Sequence, residues 1–173
     1  VLVAASGSGC DQIYSDTARV IIIPDLSVST QPSNIQECIG GTSTMTVVIA
    51  NGVGTLSYQW QSSADGSSGW ANASGTGSTT STYTPPSTVA GVTYYRALIN
   101  ATGNGCGQAV SANATATISA DISITTQPTG IEECVGGTLT MTVSNTGGSG
   151  AISYQWQSSP DGSTGWANGT GTG

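Results

Sequence analysis

The chain of 173 residues contains no histidine, no lysine and only two arginines, Arg19 and Arg96, against nine acidic residues. Without histidine or lysine it lacks the usual general base, the commonest metal ligand and the amine for Schiff-base chemistry. We therefore predict that it is not an enzyme and has no catalytic residues. The absence of lysine also excludes the Lys–Asn isopeptide bonds that stiffen some pilins.

The net charge of −7 leaves no basic surface to neutralise phosphates, which argues against nucleic acid as a partner. An anionic membrane surface would repel such a chain. No apolar run approaches the roughly 20 residues that a membrane-spanning helix needs, so no membrane insertion is predicted in this segment.

Charged residues make up only 6% of the sequence, whereas serine, threonine, asparagine and glycine are plentiful. A surface made polar by hydroxyl and amide groups is typical of an extracellular β protein, whereas a long-helix protein would be rich in alanine, glutamate, lysine and leucine. We expect an extracellular, cell-surface location.

The sequence repeats itself with a period of 96 residues. Trp60 recurs as Trp156 and Trp70 as Trp166. Residues 1–77 laid on 97–173 without a gap are identical at roughly 43 of 77 positions, which is far above chance. The phase of this repeat predicts three parts. Residues 1–24 hold the last two strands of a preceding repeat, called F and G in the strand naming below; residues 25–120 are a complete repeat; and residues 121–173 are the N-terminal part of a following repeat.

Apolar and polar residues alternate with the period of two that indicates half-buried strands. Seven short strands in one copy, with a tryptophan on the third, predict an all-β fold of tandem immunoglobulin-like sandwiches. The predicted strands are A 27–37, B 43–50, C 55–62, C′ near 69–72, E 79–84, F 93–102 and G 109–119. On strand G, alternation places Val110, Ala112, Ala114, Ala116 and Ile118 inward. Arg96 on strand F is expected to face solvent. The residues expected in the core include Met45, Val47, Tyr58, Trp60, Tyr95 and, in the following copy, Trp156.

The segments QPSNIQECIGGTSTMTV, LSYQWQSSADGS, STYTPPSTVAGVTYYRALINATGNGCG and SANATATIS carry a more specific resemblance. Together they resemble the immunoglobulin-like repeats of very large surface adhesins of Bacteroidota, the SprB-like gliding-motility adhesins. The resemblance covers the whole chain. It implies type IX secretion, a cell-surface position and a stalk or filament role in adhesion or gliding. In that family the export signal is a separate C-terminal domain.

Each copy has two cysteines, Cys10 and Cys106 at the F–G turn and Cys38 and Cys134 between strands A and B. In this fold the two turns lie at opposite ends of a sandwich, and a disulfide needs Cα atoms within about 7 Å. One hypothesis therefore pairs Cys38 with the F–G cysteine of the following repeat, so that each joint is cross-linked. A Cys38–Cys106 bond under another strand layout, and free thiols, stay open.

Other candidate sites are weaker. No cofactor is predicted, although calcium could use isolated carboxylates at the joints and hairpin turns. Thr17, in Asp-Thr-Ala, matches the Bacteroidota O-glycosylation motif, and four N-glycosylation triplets are present. Trp70 and Trp166 follow a hairpin turn and would stack on sugars if exposed; a loop tryptophan folded over the sandwich edge is the alternative. The candidate calcium ligands are Asp25, Glu37, Asp65, Asp121, Glu133 and Asp161. The N-glycosylation triplets begin at Asn72, Asn100, Asn113 and Asn168.

The first functional hypothesis is a structural segment of a giant extracellular adhesin, in which neighbouring repeats stack end to end and are each other's partners. The alternative is a carbohydrate-binding repeat that holds surface polysaccharide through Trp70 and the loop 64–77, with avidity from repetition. A third hypothesis, head-to-tail completion of a sandwich by a second copy, leaves positions equivalent to 78–96 unfilled.

Overall fold

The structure, a computed structural model, describes residues 1–8, 11–103 and 107–170. All regular secondary structure in these ranges is β-strand, which agrees with the predicted fold class. In chain order the strands are β1 (Leu2–Val3), β2 (Ile13–Tyr14), β3 (Ser27–Thr30), β4 (Ile35–Cys38), β5 (Met45–Thr46), β6 (Val48–Ala50), β7 (Leu56–Ser63), β8 (Ala71–Asn72), β9 (Thr82–Tyr83), β10 (Gly91–Ala101), β11 (Ala109–Val110), β12 (Ala114–Ser119), β13 (Ser123–Thr126), β14 (Ser144–Thr146), β15 (Gln157–Ser158) and β16 (Ala167–Asn168).

Strands β3 to β12 form an immunoglobulin-like sandwich of two layers. The larger sheet has the strand order β4-β12-β10-β7-β8, with β11 also paired to β10. Strands β4 and β12 are parallel and all other neighbours are antiparallel. The second layer pairs β3 with β6 and β5 with β9, where β5 and β6 are two parts of predicted strand B, separated at Val47.

The core lies between the two sheets and is built around Trp60. The Trp60 indole is fully buried, stacks on Tyr83 and donates its Nε1–H to the carbonyl of Thr80 at 2.9 Å. Met45, Val47 and Tyr95 are also buried, and Tyr58 packs against this cluster while remaining partly exposed. A buried indole with a satisfied N–H fills the space between the sheets without an unpaired donor.

Predicted strand A is wrong as a single strand, because the chain changes sheets within it. Strand β3 pairs with β6 in one layer and β4 pairs with β12 in the other. Pro32, which has no N–H to donate to a ladder, lies at the crossing. The side-chain oxygens of Gln31 and Asn34 accept the backbone N–H groups of Ala112 at 2.7 Å and Thr115 at 2.8 Å. These two side chains therefore satisfy backbone N–H groups of strand G at the point where strand A passes from one layer to the other.

The predicted inward set of strand G is correct for Ala114, Ala116 and Ile118 and wrong for Val110 and Ala112, which are exposed. The register against β10 changes from Leu98 opposite Val110 to Tyr95 opposite Ala114, so one extra residue is accommodated as a β-bulge. The bulge turns Ser111 inward. Its backbone N–H donates to the carbonyl of Ala97 at 2.9 Å, and its hydroxyl oxygen accepts the Ala97 N–H at 2.8 Å.

The two ends of the sandwich can be assigned from strand direction. Strands β4 and β12 run in parallel and finish side by side, with Cys38 opposite Ser119. We call this end the C-terminal pole. Strand β10 ends at the opposite end, where Ala101 lies opposite Leu56 and the turn 51–55 begins strand β7. We call that end the N-terminal pole. The chain enters this sandwich at the N-terminal pole, where Ser27 lies opposite Ala50 beside the same turn, and leaves it at the C-terminal pole.

The flanking segments copy parts of this sandwich. The β1–β2 hairpin places Leu2 opposite Tyr14, which is the register of Leu98 and Val110 one repeat later. Strands β13–β14 and β15–β16 correspond in the same way to β3–β6 and β7–β8. Trp156, expected in the core, is 39% exposed because no described strand covers it as β10 covers Trp60.

Candidate functional site

The joint between residues 25–120 and the following repeat is short. Strand β12 ends at Ser119 and β13 begins at Ser123, so the linker is Ala120–Ile122. The backbone N–H of Gly148 donates to the carbonyl of Ala120 at 2.7 Å. Gly147 has φ +73°, and a Cβ there would lie 2.1 Å from the carbonyl oxygen of Asp121. The linker is thus held directly against the B–C turn of the following repeat, and only glycine allows this approach.

Cys38 lies at this joint. It ends β4 at the C-terminal pole and lines a shallow cleft of about 450 Å³ together with Asp121, Ile122, Ala151 and Ile152 of the following repeat. Cys38 is partly buried and Cys134 is exposed, and within the part of the chain that the structure describes neither is bonded to another cysteine. Cys10 and Cys106 lie outside the described residues, so each disulfide hypothesis stays a prediction.

The complete repeat shows what packs against the B–C turn at the N-terminal pole. Thr55 and Thr102 are joined by two hydrogen bonds, Thr55 N–H to Thr102 Oγ1 at 3.0 Å and Thr102 N–H to the Thr55 carbonyl at 3.1 Å. A Cβ on Gly103 would lie 2.2 Å from the carbonyl oxygen of Val53. The beginning of the F–G connection is therefore bound to the B–C turn, which in the following repeat is the turn that faces Cys38.

Two of the candidate calcium ligands, Glu37 and Glu133, accept hydrogen bonds within the A–B turn of their own copies. The Glu37 carboxylate accepts the backbone N–H of Ser43 at 2.9 Å, and a Cβ on Gly41 would lie 2.2 Å from its carboxyl carbon. Glu133 accepts from Leu139 N–H at 2.9 Å in the next copy. The second glycine of the Gly-Gly pair that follows Cys38 and Cys134 thus makes room for a glutamate that closes the A–B turn. Among the described residues no three histidine, cysteine, aspartate or glutamate side chains cluster as metal ligands.

The hairpin aspartates are also engaged by their own turns. Asp65 Oδ1 accepts the N–H groups of Ser67 and Ser68, both at 2.8 Å, and Oδ2 accepts the Ser68 hydroxyl at 2.7 Å. These bonds, the Ser68 N–H foremost, hold the pKa of Asp65 well below its usual value. Asp161 makes the same contacts to Ser163 and Thr164, with the same lowering of its pKa.

The loop tryptophan Trp70 is covered on one ring face. The guanidinium carbon of Arg96 lies 4.2 Å from the ring centroid, which is a cation–π contact. Arg96 Nε and Nη2 both donate to Gln61 Oε1, at 3.0 and 2.9 Å. Arg96, expected to face solvent, is therefore partly buried, and Trp70 folds over the sheet. Trp166 is 55% exposed, and the described residues contain no counterpart of Arg96 for it.

The candidate glycosylation sites lie on the surface. Thr17 and the four triplet asparagines, Asn72, Asn100, Asn113 and Asn168, are exposed. The Asn113 amide, however, donates to the carbonyl of Gly66 at 2.7 Å and ties the hairpin turn to strand G. A glycan on this nitrogen would remove one of its two donor hydrogens, so Asn113 is the least suitable of the four.

Tyr83 was missed by the sequence reasoning. It is fully buried, stacks on Trp60 with centroids 5.2 Å apart and hydrogen-bonds through its hydroxyl to the Ser74 carbonyl. The segment STTSTYT carried the signal. It predicts strand E, and Tyr83 is its only large side chain, so Tyr83 is the residue expected to point inward.

The comparisons with known proteins give a family and a distant fold neighbour. A family model described as "Domain of unknown function (DUF8696)" matches residues 28–120. A solved structure described as "Sidekick-1 immunoglobulin domains 1-5" aligns with a TM-score of 0.45 at 16% identity. That alignment covers 63% of this chain, which spans only 22% of the other. No curated protein matches the chain. Among the described residues no helix is long and apolar enough to cross a membrane.

Proposed function

We propose a structural role for this chain, which belongs to the DUF8696 family of domains of unknown function. Its immunoglobulin-like repeats form a stalk or filament segment of a large extracellular adhesin. The observation that carries the proposal is the joint: a three-residue linker hydrogen-bonded to the next repeat. The resemblance to Bacteroidota gliding-motility adhesins gives the finer proposal of type IX secretion and a role in surface adhesion or gliding.

The path of the chain favours an extended array. Each repeat is entered at the N-terminal pole and left at the C-terminal pole, so successive repeats add their lengths along one direction. Strand β12 alone has six residues, or about 20 Å at 3.3 Å per residue. A linker of three residues leaves little room for the repeats to fold back on each other.

We also propose that the joint is cross-linked. Cys38 faces the B–C turn of the following repeat, and in the complete repeat that turn binds the beginning of the F–G connection. The sequence puts a cysteine in that connection, three residues after Gly103. A disulfide between Cys38 and the F–G cysteine of the next repeat would release two protons and two electrons to an external disulfide oxidant. A Cys38–Cys106 bond would instead have to join opposite poles of one sandwich.

The test uses a chain in which residues 1–173 are followed by a second copy of residues 78–120, so that the following repeat is complete. Non-reducing peptide mapping should link Cys38 to the copied F–G cysteine, and residual dipolar couplings from both repeats should fit one alignment tensor. Cys38→Ser should remove the link and leave both sandwiches folded. A Cys38–Cys106 link, or two independent tensors in the oxidised chain, would contradict the rod proposal.

The cellular part of the proposal has its own test. Antibodies against residues 25–120 should label intact cells that make the protein, without permeabilisation. Labelling only after permeabilisation would contradict a cell-surface stalk. Binding of the complete repeat to surface polysaccharide, lost in Trp70→Ala, would favour the carbohydrate-binding alternative, although Arg96 already occupies one face of that indole.

A further inference from the structure

Arg96 is the only cation of the complete repeat, residues 25–120. Among the described residues, both hydrogen bonds of its guanidinium go to one neutral acceptor, because Nε–H and Nη2–H each donate to Gln61 Oε1. A guanidinium carries five N–H donors, so the two on Nη1 and the second on Nη2 have no acceptor in this part of the chain. The end-on edge of the guanidinium, to which a carboxylate can bind through both oxygens, is therefore unused.

The acidic side chains of the same repeat are engaged elsewhere or lie at its entrance. Glu37 accepts the backbone N–H of Ser43 in the A–B turn, and Asp65 accepts N–H groups of its own hairpin turn. Asp25 precedes strand β3 at the N-terminal pole. The partners of the partly buried Arg96 cation are thus a neutral amide and an indole. A charge that is partly removed from water in this way is stabilised further by an anion from outside the chain.

The guanidinium is held in place before any ligand arrives. Gln61 fixes it from the neighbouring strand β7, and the guanidinium carbon lies 4.2 Å from the centroid of the Trp70 ring. The hairpin that leads to Trp70 is itself anchored, because the Asn113 amide donates to the Gly66 carbonyl at 2.7 Å. A donor group fixed in this way loses little conformational entropy when it binds an acceptor.

The surroundings of Arg96 on the outer face of the larger sheet are neutral. Residues that lie opposite each other in a pair of strands share a face, and so do residues two apart on one strand. We call the resulting surface the Arg96 face; its members are Gln59, Gln61, Asn72, Arg96, Leu98 and Val110. The amides can donate to and accept from neighbouring hydroxyl groups, and Leu98 and Val110 offer apolar contact to C–H groups. Hydroxyl and C–H groups side by side are the chemistry of a sugar ring.

The same face is poorly suited to a peptide or to a polyanion. Strands β7 and β10 have partners on both edges, so an extended peptide finds no open strand edge at Arg96 to which it could add. The apolar side chains Leu98 and Val110 are too few for the apolar centre of a protein interface. Every other ionised side chain of the repeat is acidic, so a ligand with many carboxylates would be repelled, whereas an isolated carboxylate would not.

We propose that the Arg96 face binds a saccharide that carries a single carboxylate, such as a uronate. The carboxylate accepts the unused N–H groups on Nη1 and Nη2, and the sugar hydroxyls bond to the amides of Gln59 and Asn72. Trp70 positions the guanidinium in this arrangement and need not stack on the sugar itself. The binding activity is additional to the stalk role and does not depend on it.

The decisive comparison uses two matched ligands on the unmodified chain. Methyl β-D-glucuronide and methyl β-D-glucoside differ only in a carboxylate that replaces a hydroxymethyl group, and heteronuclear NMR titration measures the affinity of each. The glucuronide should bind about tenfold more tightly, the effect of a charge-assisted hydrogen bond, and should shift the Arg96 Nε–H and Trp70 indole signals. The peptide acetyl-Gly-Asp-Gly-amide, which also has one carboxylate, should bind more weakly than the glucuronide.

Three variants separate the role of Arg96 from that of net charge. Arg96→Gln should abolish the preference for the glucuronide over the glucoside. Arg96→Lys keeps the charge but lacks the planar pair of donors, and should weaken glucuronide binding about threefold or more. Arg19→Gln removes the other arginine, which is exposed, and should leave the preference unchanged. The dispersion of the amide signals shows whether each variant is folded.

The comparison of ligands on the unmodified chain decides the proposal even where a variant does not fold. Glucuronide binding no tighter than glucoside binding would overturn it, and so would a peptide that binds as tightly as the glucuronide. A preference that survives in folded Arg96→Gln, or that Arg19→Gln loses equally, would also overturn it. None of these results bears on the stalk proposal, whose tests are the cross-link and the common alignment of two repeats.

Discussion

The ring of Tyr83 stacks on the indole of Trp60 with their centroids 5.2 Å apart and 21° between their planes. Both rings are fully buried, and a third ring, that of Tyr95, lies 5.3 Å from Tyr83. The three residues come from three different strands and join both sheets. This cluster therefore connects the two layers through large buried aromatic side chains.

Truncation of Tyr83 should destabilise the complete repeat strongly. We expect Tyr83→Ala to lower the free energy of unfolding by about 3–5 kcal/mol, the range for deletion of a large buried aromatic side chain. Tyr83→Phe removes only the hydrogen bond to Ser74 and should cost about 1 kcal/mol. Urea unfolding followed by near-ultraviolet circular dichroism measures both. Tyr14→Phe, at a tyrosine that is 72% exposed, is the control and should change little.

The same cluster predicts a loss of stability in alkali. Burial is the main cause that raises the pKa of Tyr83 and of Tyr95 above the ordinary value of 10.0. Folding therefore favours the protonated phenols, and this stabilisation is complete below pH 10 and is lost as pH rises above it. Urea titrations between pH 8 and pH 12 should show the decline. The decline should be shallower in Tyr83→Phe. An equal slope in both proteins would show that the Tyr83 phenol is not its source.

Asp65 predicts the opposite dependence at low pH. Its pKa is lowered by hydrogen bonds within the turn, so folding favours the carboxylate, and the associated stability is lost as pH falls below about 4. Carbon-detected NMR should find that the Asp65 carboxyl titrates below the ordinary range. Stability should fall less between pH 5 and pH 2 in Asp65→Asn than in the unmodified chain; identical profiles would contradict a role for the carboxylate.

Removal of Arg96 should uncover Trp70. The guanidinium lies over one indole face and is fixed by two bonds to Gln61. Arg96→Ala should increase acrylamide quenching of tryptophan fluorescence and cost about 0.5–2 kcal/mol of stability. Arg19→Ala removes the only other arginine, which is exposed, and should leave quenching unchanged. Equal effects of both variants would point to net charge as the cause.

Close approach at the joint should be sensitive to a single methyl group. Gly147 and Gly150 both have positive φ, at +73° and +83°, so alanine is strained at either position. Only at position 147 would the new Cβ meet the linker, 2.1 Å from the Asp121 carbonyl oxygen. In the chain lengthened with residues 78–120, Gly147→Ala should therefore decouple the alignment tensors of the two repeats, whereas Gly150→Ala should not.

Periodicity predicted the parts of the fold that depend on local alternation. Met45, Val47 and Trp60 face inward because a strand places every second residue on one face, and no tertiary knowledge is needed for that. The division of strand A was not predictable in this way, because a period of two gives the face of a residue but not the sheet that receives it. Pro32 was the available signal for a break in the ladder.

Alternation of apolar and polar residues could not predict the bulge at Ser111 or the contacts of Arg96, for two different reasons. Ser111 is small and polar, so the pattern assigned it to the solvent face, whereas its hydroxyl in fact satisfies the N–H of Ala97 inside the sandwich. Arg96 and Trp70 are 26 positions apart and meet only because β10 pairs with β7, which places the hairpin loop over strand F. The hydrogen bond between Gly148 and the linker is likewise not predictable from alternation, because it joins two repeats that meet only in the folded chain.

The parallel pairing of β4 with β12 has a mechanical consequence. At one pole tension reaches β4 through β3, which is itself paired with β6, and at the other pole it acts on the end of β12. It would therefore slide β4 and β12 past each other lengthwise, so that their hydrogen bonds, over the register Ala116–Ile35 to Ser119–Cys38, resist together in shear. A sandwich whose terminal strands were pulled apart from one end would instead unzip one bond at a time.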